Sequence, residues 1–247
     1  EEIHQAYFSL LSRVHDFAMV NGLVITEVSV DTPGPFDYKN GVSLMTHKYQ
    51  AIKDKSLIPI IRAPLGNLPV RFMHDSAAFI QGAAAGLDEY NRFAGVMIGT
   101  GLGFALMING EVLKNKSGEP LYSIYSLPCG SGIAEDAISG RGIVNAYNAR
   151  AKSPAKNAKE VGLRAEAGDV LAISVHRDMA ASLAELISPI LDEYRIEALL
   201  LGGQVSKSFN LFGATLKEKL AGVKSLVYIA PARDIDLAHL IGAAVGK

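Results

Sequence analysis

The sequence has very little cysteine, and it lacks the usual signals of a membrane protein or a nucleic-acid-binding protein. Cys129 is the one cysteine among 247 residues, which excludes an internal disulfide framework and is typical of a reducing compartment. No apolar run approaches the roughly 18 residues of a membrane span, and no signal segment opens the chain. The formal net charge is −1, without a block of Lys or Arg. We therefore expect a cytoplasmic protein without a nucleic-acid or membrane partner.

The sequence also lacks an initiating methionine. It begins at Glu1 and enters a helical pattern at once. We expect a fragment, or a chain whose first segment is not included.

Helical and strand patterns alternate along the rest of the sequence. Apolar residues recur at helical spacing over 3–19, 77–86, 169–194, 209–220 and 236–245. Short apolar or alternating runs predict strands over 24–30, 69–73, 93–98, 104–108, 197–201 and 226–229. The stretches 31–68 and 116–142 contain breakers and predict irregular structure. This alternation predicts the α/β class.

The clearest chemical motif is the glycine turn Gly99-Thr100-Gly101-Leu102-Gly103. Alternate glycines let a backbone approach a ligand closely and turn its N–H groups toward an anion, and the Thr100 hydroxyl adds a donor. Such a turn suits the phosphates of a nucleotide. A tight hairpin between two strands explains the same residues, and the two interpretations have about equal weight.

Two weaker features accompany this turn. Gly202-Gly203 ends an apolar strand, where a ligand can lie against the backbone, although an ordinary turn explains the pair better. Asp75 stands between a predicted strand and a predicted helix. A carboxylate there could accept a hydroxyl proton during phosphoryl transfer, but helix capping explains most such aspartates.

The order of these motifs resembles that of the ROK family of repressors and sugar kinases, within the actin/hexokinase superfamily. The resemblance runs from Val28 to the C-terminus. The matching segments are Thr32-Pro33-Gly34-Pro35-Phe36-Asp37, His74-Asp75-Ser76-Ala77-Ala78, Gly99 to Gly103, Gly118-Glu119, Cys129-Gly130-Ser131-Gly132-Ile133-Ala134-Glu135, Ser139-Gly140-Arg141, Leu201-Gly202-Gly203 and Leu240-Ile241-Gly242-Ala243-Ala244.

The resemblance implies ATP- and Mg²⁺-dependent phosphorylation of a hexose or amino-hexose. Asp75 would be the general base. The sugar-binding residues would be Gly34, His74, Glu119, Tyr122 and Glu135, and the ATP-binding residues would be Gly99, Thr100, Gly101, Gly103, Gly202 and Gly203. The alternative is a regulatory or catalytically degenerate member that binds a sugar without phosphorylating it. Neither the sugar nor its reacting hydroxyl follows from the sequence.

The resemblance also implies a two-lobe, actin-like (ribonuclease H-like) ATPase fold with a cleft between the lobes. We expect residues 1–92 and 236–247 to form the N-terminal lobe and residues 93–235 the C-terminal lobe. The family resemblance further implies a homodimer.

The sequence departs from the family pattern at three places. The family's first phosphate loop, Asp-x-Gly-Gly-Thr, is missing from the chain. Its structural zinc site is reduced to Cys129, with Tyr122 in place of a histidine and Ile133 in place of a cysteine. We therefore predict no zinc and no protein metal site. Finally, His74 replaces the expected asparagine beside the base.

Overall fold

The chain forms two compact units in the computed structural model, which describes residues 2–46 and 50–246. The first unit is Glu1–Asp75 with Lys114–Glu119, and the second is Ser76–Leu113 with Pro120–Lys247. These boundaries differ from the lobes expected from the sequence. Residues 76–91 and the last helix belong to the second unit, whereas the loop 114–119, from the middle of the chain, belongs to the first.

The first unit packs two helices around a small parallel sheet. Its elements are α1 (Glu2–Val20), β1 (Val28–Thr32), β2 (Phe36–Asp37), β3 (Val42–Ser43), α2 (Ile58–Leu65) and β4 (Val70–His74), with a short 3₁₀ turn at Gln50–Ile52. β1 pairs in parallel with β4, and β2 pairs antiparallel with β3. The helix α2 falls in a stretch for which the sequence predicted irregular structure, and that prediction was wrong. Ile60 and Ile61 of α2 are buried in an apolar core that Tyr7 and Leu11 of α1 also contact.

The second unit is built on a mixed five-stranded sheet. Its elements begin with α3 (Asp75–Ala83), β5 (Arg92–Ile98), β6 (Leu102–Ile108), β7 (Glu111–Val112), β8 (Pro128–Cys129), β9 (Gly132–Ile133), α4 (Ala134–Ala137) and α5 (Gly140–Asn148). They continue with α6 (Ala158–Glu166), α7 (Val170–Glu193), β10 (Ala198–Gly202), α8 (Phe209–Lys219), β11 (Tyr228–Pro231) and α9 (Ala238–Val245). The strand order is β11-β10-β5-β6-β7, with β5, β10 and β11 parallel and the β5-β6-β7 meander antiparallel.

Alternating side chains of the sheet enter two cores. Val96 and Leu199 face the larger core, which the long helix α7 covers, whereas Phe93 and Leu200 face a smaller core shared with α3 and α9. Both faces of the central strands are therefore buried, as expected for the α/β class. Among residues 2–46 and 50–246, no helix is long and apolar enough to cross a membrane.

Candidate functional site

Two neighbouring strand ends in the first unit bring the first group of predicted site residues together. β1 and β4 are parallel, and their last residues, Thr32 and His74, are partners in the register. Since the carboxyl ends of parallel strands lie at the same edge of a sheet, Gly34 follows one strand end and Asp75 follows its neighbour. Ligands bind at such edges in many α/β folds.

Asp75 is the first residue of α3 and is paired with its neighbour His74. The two side chains lie 2.9 Å apart, from His74 Nδ1 to Asp75 Oδ1. The carboxyl group of Asp75 keeps 36 % of its exposure, whereas the imidazole of His74 keeps 19 %. A protonated Nδ1 at this distance donates to the carboxylate and orients it, and the carboxyl group keeps enough exposure for a ligand to reach it.

Glu119 joins this group from a distant part of the sequence. It ends the loop 114–119, which Asn115 closes: the N–H of Glu119 donates to Asn115 Oδ1 at 3.2 Å, and the N–H of Asn115 donates to the Glu119 carbonyl at 2.8 Å. The Glu119 carboxylate lies against the Cα of Gly34, so closely that a β-carbon there would collide with Oε1. A β-carbon at position 34 would therefore displace the end of this flexible side chain.

Tyr38 belongs to the same group, although the sequence did not assign it a role. Its hydroxyl lies 3.5 Å from the place of a β-carbon on Gly34, and its ring centroid lies 6.1 Å from that of His74. Burial, reinforced by the negative charges of Glu119 and Asp75, raises the pKa of Tyr38 well above its ordinary value. We call Gly34, Tyr38, His74, Asp75 and Glu119 the Asp75 cluster.

The predicted phosphate turn in the second unit connects β5 to β6. The N–H of Gly99 donates to the Gly101 carbonyl at 3.0 Å, which closes the turn, and Thr100 is exposed. Apart from its chain neighbours, no atom of the described residues lies within 4 Å of the place of a β-carbon on Gly99, so the outer side of the turn has room for a ligand. The hairpin explanation and the phosphate-binding explanation are compatible, because the antiparallel strands leave this bend accessible.

Glu135 is in direct contact with this turn. The N–H of Leu102 donates to Glu135 Oε2 at 3.2 Å, and that oxygen lies 2.8 Å from the place of a β-carbon on Gly101. Arg141 lies 3.6 Å from Glu135 Oε1 and 2.9 Å from Asp136 Oδ1. The sequence offered Glu135 as a sugar ligand; its contacts in the second unit are with the glycine turn and Arg141.

Two further segments reach the same edge of the sheet. β10 runs parallel to β5, with Gly202 opposite Met97, so Gly203 follows β10 beside the start of the turn. A β-carbon on Gly203, whose φ is +80°, would collide with the backbone of Ile98. The N–H of Gly140, at the start of α5, donates to the Gly99 carbonyl at 2.8 Å. We call Gly99 to Gly103, Glu135, Gly140 and Gly203 the glycine-turn cluster.

Tyr122 and Cys129, at positions that match the family's zinc ligands, have other contacts. The Tyr122 hydroxyl lies 3.3 Å from Glu193 Oε2 and from the Tyr194 hydroxyl, and the two tyrosine rings meet edge to face. Cys129 is a partly buried free cysteine that packs against the larger core. In the part of the chain that the structure describes, no three histidine, cysteine, aspartate or glutamate side chains are grouped to hold a metal ion. The absence of zinc stays a prediction.

Comparison with known protein families gives a match over nearly the whole chain. The sequence pattern of the ROK family matches residues 5–245. The chain belongs to the ROK family. No curated protein matches the sequence.

Solved structures of ROK proteins have the same fold. The Streptomyces griseus ROK glucokinase, in complex with glucose and AMPPNP, matches 96 % of this chain and 86 % of its own, with 19 % identity and a TM-score of 0.75. The Thermus thermophilus ROK hexokinase matches 98 % of this chain and 85 % of its own, with 19 % identity and a TM-score of 0.77. A ROK transcriptional regulator homologous to the E. coli Mlc protein matches 97 % of this chain and 67 % of its own, with 20 % identity and a TM-score of 0.80.

This likeness confirms the predicted α/β, two-lobe, actin-like fold. The structure groups most of the predicted residues of this ROK protein into two clusters, one in each unit. Of the others, Gly202 is the last residue of β10, and Tyr122 lies with Glu193 and Tyr194. Tyr38 was not predicted from the sequence, and Arg141 was named only as part of a matching segment, without a role. The one signal for Tyr38 in the sequence is its position directly after the family segment that ends in Asp37. Its contact with Gly118 could not be predicted, because the two residues are distant in the sequence.

Proposed function

We propose that this ROK protein transfers the γ-phosphoryl group of ATP to a hydroxyl group of a hexose or amino-hexose, with Asp75 as the general base. The observation that carries the proposal is the Asp75 cluster: an accessible carboxylate at a strand end, with Glu119 held in the same unit against Gly34. Family membership supports the reaction class. The glucose in the S. griseus complex supports a hexose as the substrate class.

Asp75 has the features that a base for an alcohol needs. Its carboxylate, oriented by His74, would accept the proton of the sugar hydroxyl as the new P–O bond forms and the bond between the γ-phosphorus and ADP breaks. Glu119 would accept hydrogen bonds from other sugar hydroxyls and so orient the reacting one. A base of this kind contributes about 10²- to 10⁴-fold to the rate.

The glycine-turn cluster would bind the phosphates of the nucleotide. The room outside Gly99 and the backbone N–H groups of the turn suit an anion, and Thr100 adds an exposed hydroxyl donor. Gly202 and Gly203 would lie near the nucleoside side of ATP.

The proposed magnesium ion would be bound mainly through the nucleotide. No group of three acidic or histidine side chains forms a protein cage among the described residues. Mg²⁺ in phosphoryl-transfer enzymes keeps several waters and is held by one or two carboxylates and the substrate phosphates, where it neutralises phosphate charge.

The Asp75→Asn variant tests the proposal. Release of ADP from Mg-ATP is measured with D-glucose, D-mannose, D-fructose, N-acetyl-D-mannosamine and N-acetyl-D-glucosamine. We expect turnover with at least one sugar, and a loss of about 10²- to 10⁴-fold in kcat in the variant, with little change in thermal stability. Asp178→Asn is the matched control, because Asp178 is an exposed carboxylate paired only loosely, at 3.4 Å, with Arg150.

Turnover that survives Asp75→Asn would overturn the assignment of the base. Sugar binding in a calorimeter without any ADP release from the wild type would favour the regulatory alternative, which the structural likeness to a ROK transcriptional regulator supports. The homodimer and the cytoplasmic location belong to the proposal as well, and sedimentation of the purified chain tests the dimer.

A further inference from the structure

Tyr38 occupies a central position in the Asp75 cluster. Its hydroxyl lies beside Gly34, and its ring lies 3.4 Å from the place of a β-carbon on Gly118. Its ring also lies near those of Phe36 and His74, at 5.3 and 6.1 Å between centroids. A β-carbon on Gly34 would displace the end of the Glu119 side chain, whereas one on Gly118 would be in ordinary contact with the ring of Tyr38, so Tyr38 packs between these two segments.

The hydroxyl proton of Tyr38 has a partner on the strand that leads into the cluster. The hydroxyl donates to the carbonyl of Thr32 at 3.3 Å. A phenol that donates its one proton to the protein still has lone pairs with which to accept a hydrogen bond. The residue is only partly buried, which is compatible with a ligand beside Glu119 that contacts the oxygen.

We propose that Tyr38 is a sugar-binding residue whose phenolic oxygen accepts a hydrogen bond from one hydroxyl of the substrate, next to the hydroxyls that Glu119 orients. The inference rests on the proposed function, because it names a further ligand of the same sugar. Tyr38 supplies a neutral acceptor close to the carboxylates of Glu119 and Asp75. A third carboxylate at this position would be repelled strongly by the other two.

The charge state of Tyr38 supports this role. Burial and the neighbouring charges of Glu119 and Asp75 raise the pKa of the phenol well above 10. The hydroxyl therefore keeps its proton at every pH at which the protein works. Its contribution to sugar binding should not change between pH 6 and pH 9, unlike that of a group that titrates in this range.

Tyr38→Phe removes the oxygen and keeps the ring packing. We expect the KM of the best hexose substrate to rise about three- to tenfold, as for the loss of one uncharged hydrogen bond, with kcat near the wild-type value. The KM of Mg-ATP should stay the same. Tyr147→Phe is the matched control: it removes a buried hydroxyl in the second unit that donates to Asp169 at 2.6 Å, and it should leave the KM of the sugar unchanged.

A set of monodeoxy analogues of the same sugar separates a ligand from a structural residue. If Tyr38 binds one hydroxyl, the analogue without that hydroxyl has the same KM in the wild type and in Tyr38→Phe, whereas the other analogues keep the three- to tenfold difference. An equal difference with every analogue, or an unchanged KM for the parent sugar, overturns the inference.

Direct binding distinguishes this inference from the proposed function. Wild-type binding of D-glucose or N-acetyl-D-mannosamine that weakens in Tyr38→Phe, without ADP release from either protein, would refute the kinase and retain Tyr38 as a sugar ligand. Turnover by both proteins with equal sugar affinity would retain the kinase and refute the role of Tyr38. Failure of the wild type to bind any sugar of the panel counts against both.

Discussion

The carboxylate of Glu135 accepts a hydrogen bond from a backbone N–H of the turn that would bind the nucleotide phosphates. It accepts from Leu102 at 3.2 Å, and Arg141 at 3.6 Å offsets only part of its charge because this guanidinium also pairs with Asp136. A phosphate at the turn would meet this negative charge at close range. We expect Glu135→Gln to bind Mg-ADP about three- to tenfold more tightly than the wild type when no sugar is present.

Asp136→Asn controls for the general loss of a negative charge. Asp136 contacts the same arginine but accepts no hydrogen bond from the turn in the contacts described here, so its variant should bind Mg-ADP within about twofold of the wild type. Calorimetric titration of the three proteins measures the effect. Equal tightening in both variants, or weaker binding in Glu135→Gln, contradicts competition between Glu135 and the phosphate.

At the scale of elements, two glycines set the crossing of α3 and α9. A β-carbon on Gly82 would collide with the Ala238 carbonyl, and one on Gly242 would collide with the Ala78 carbonyl. These obstacles are backbone atoms, which cannot move aside as a flexible side chain can. We expect Gly242→Ala to lower the free energy of unfolding by about 1 to 3 kcal/mol, as measured by urea denaturation.

The same substitution in a helix with free space should have the opposite sign. Gly162 lies in α6, where a β-carbon would meet only Ser208 Oγ at an ordinary 3.4 Å. Gly162→Ala should therefore be neutral or stabilise by up to about 1 kcal/mol through higher helix propensity. Destabilisation of both variants by equal amounts would show that the crossing is not the cause.

Local patterns predicted some elements well and could not predict others. The strands β5 and β6 and the helix α7, capped at Asp169, follow the sequence prediction within about two residues, because their apolar periodicity is long and uninterrupted. α2 contains prolines at positions 59 and 64 and forms by packing against α1. α5 begins in the glycine-rich segment 116–142, for which the sequence predicted a loop, and that prediction was wrong in part. Gly142 packs closely there, because a β-carbon on it would lie 2.6 Å from the Asp136 carbonyl. The packing of α2 against α1 has no local signature, whereas the start of α5 has one, because the Ser139 hydroxyl caps the helix by accepting a hydrogen bond from the N–H of Gly142 at 3.1 Å.

At the scale of the whole molecule, chain order is a poor guide to which unit holds a candidate site residue. Family motifs named Gly34, Asp75 and Glu119, and the structure places these three in one unit. The motifs could not show that the loop 114–119 leaves the second unit to deliver Glu119, because chain order says nothing about where a short loop packs. Tyr38 was missed for the same reason: its partners come from several separate segments.

The stability of the folded chain should depend on pH through a buried histidine. His176 in α7 is 1 % exposed, and its Nδ1 lies 2.8 Å from the Ala172 carbonyl. Burial lowers its pKa below the ordinary value of 6.5. The unfolded chain therefore binds this proton first as the pH falls, so stability is full above pH 6.5 and declines from there toward the lowered pKa of the folded state, with a slope of at most about 1.4 kcal/mol per pH unit.

His176→Leu removes the group that titrates and places an apolar side chain of similar size in the core. We expect the wild type to lose stability relative to His176→Leu between pH 7.5 and pH 5, and the difference between the two to be constant above pH 7.5. The chain has no tryptophan, so circular dichroism in urea is the suitable measurement. His4→Gln, at an exposed position on α1, should follow the wild-type curve. A difference between wild type and His176→Leu that is independent of pH would mean that His176 titrates alike in the folded and unfolded chain, and that its burial carries no proton-linked cost.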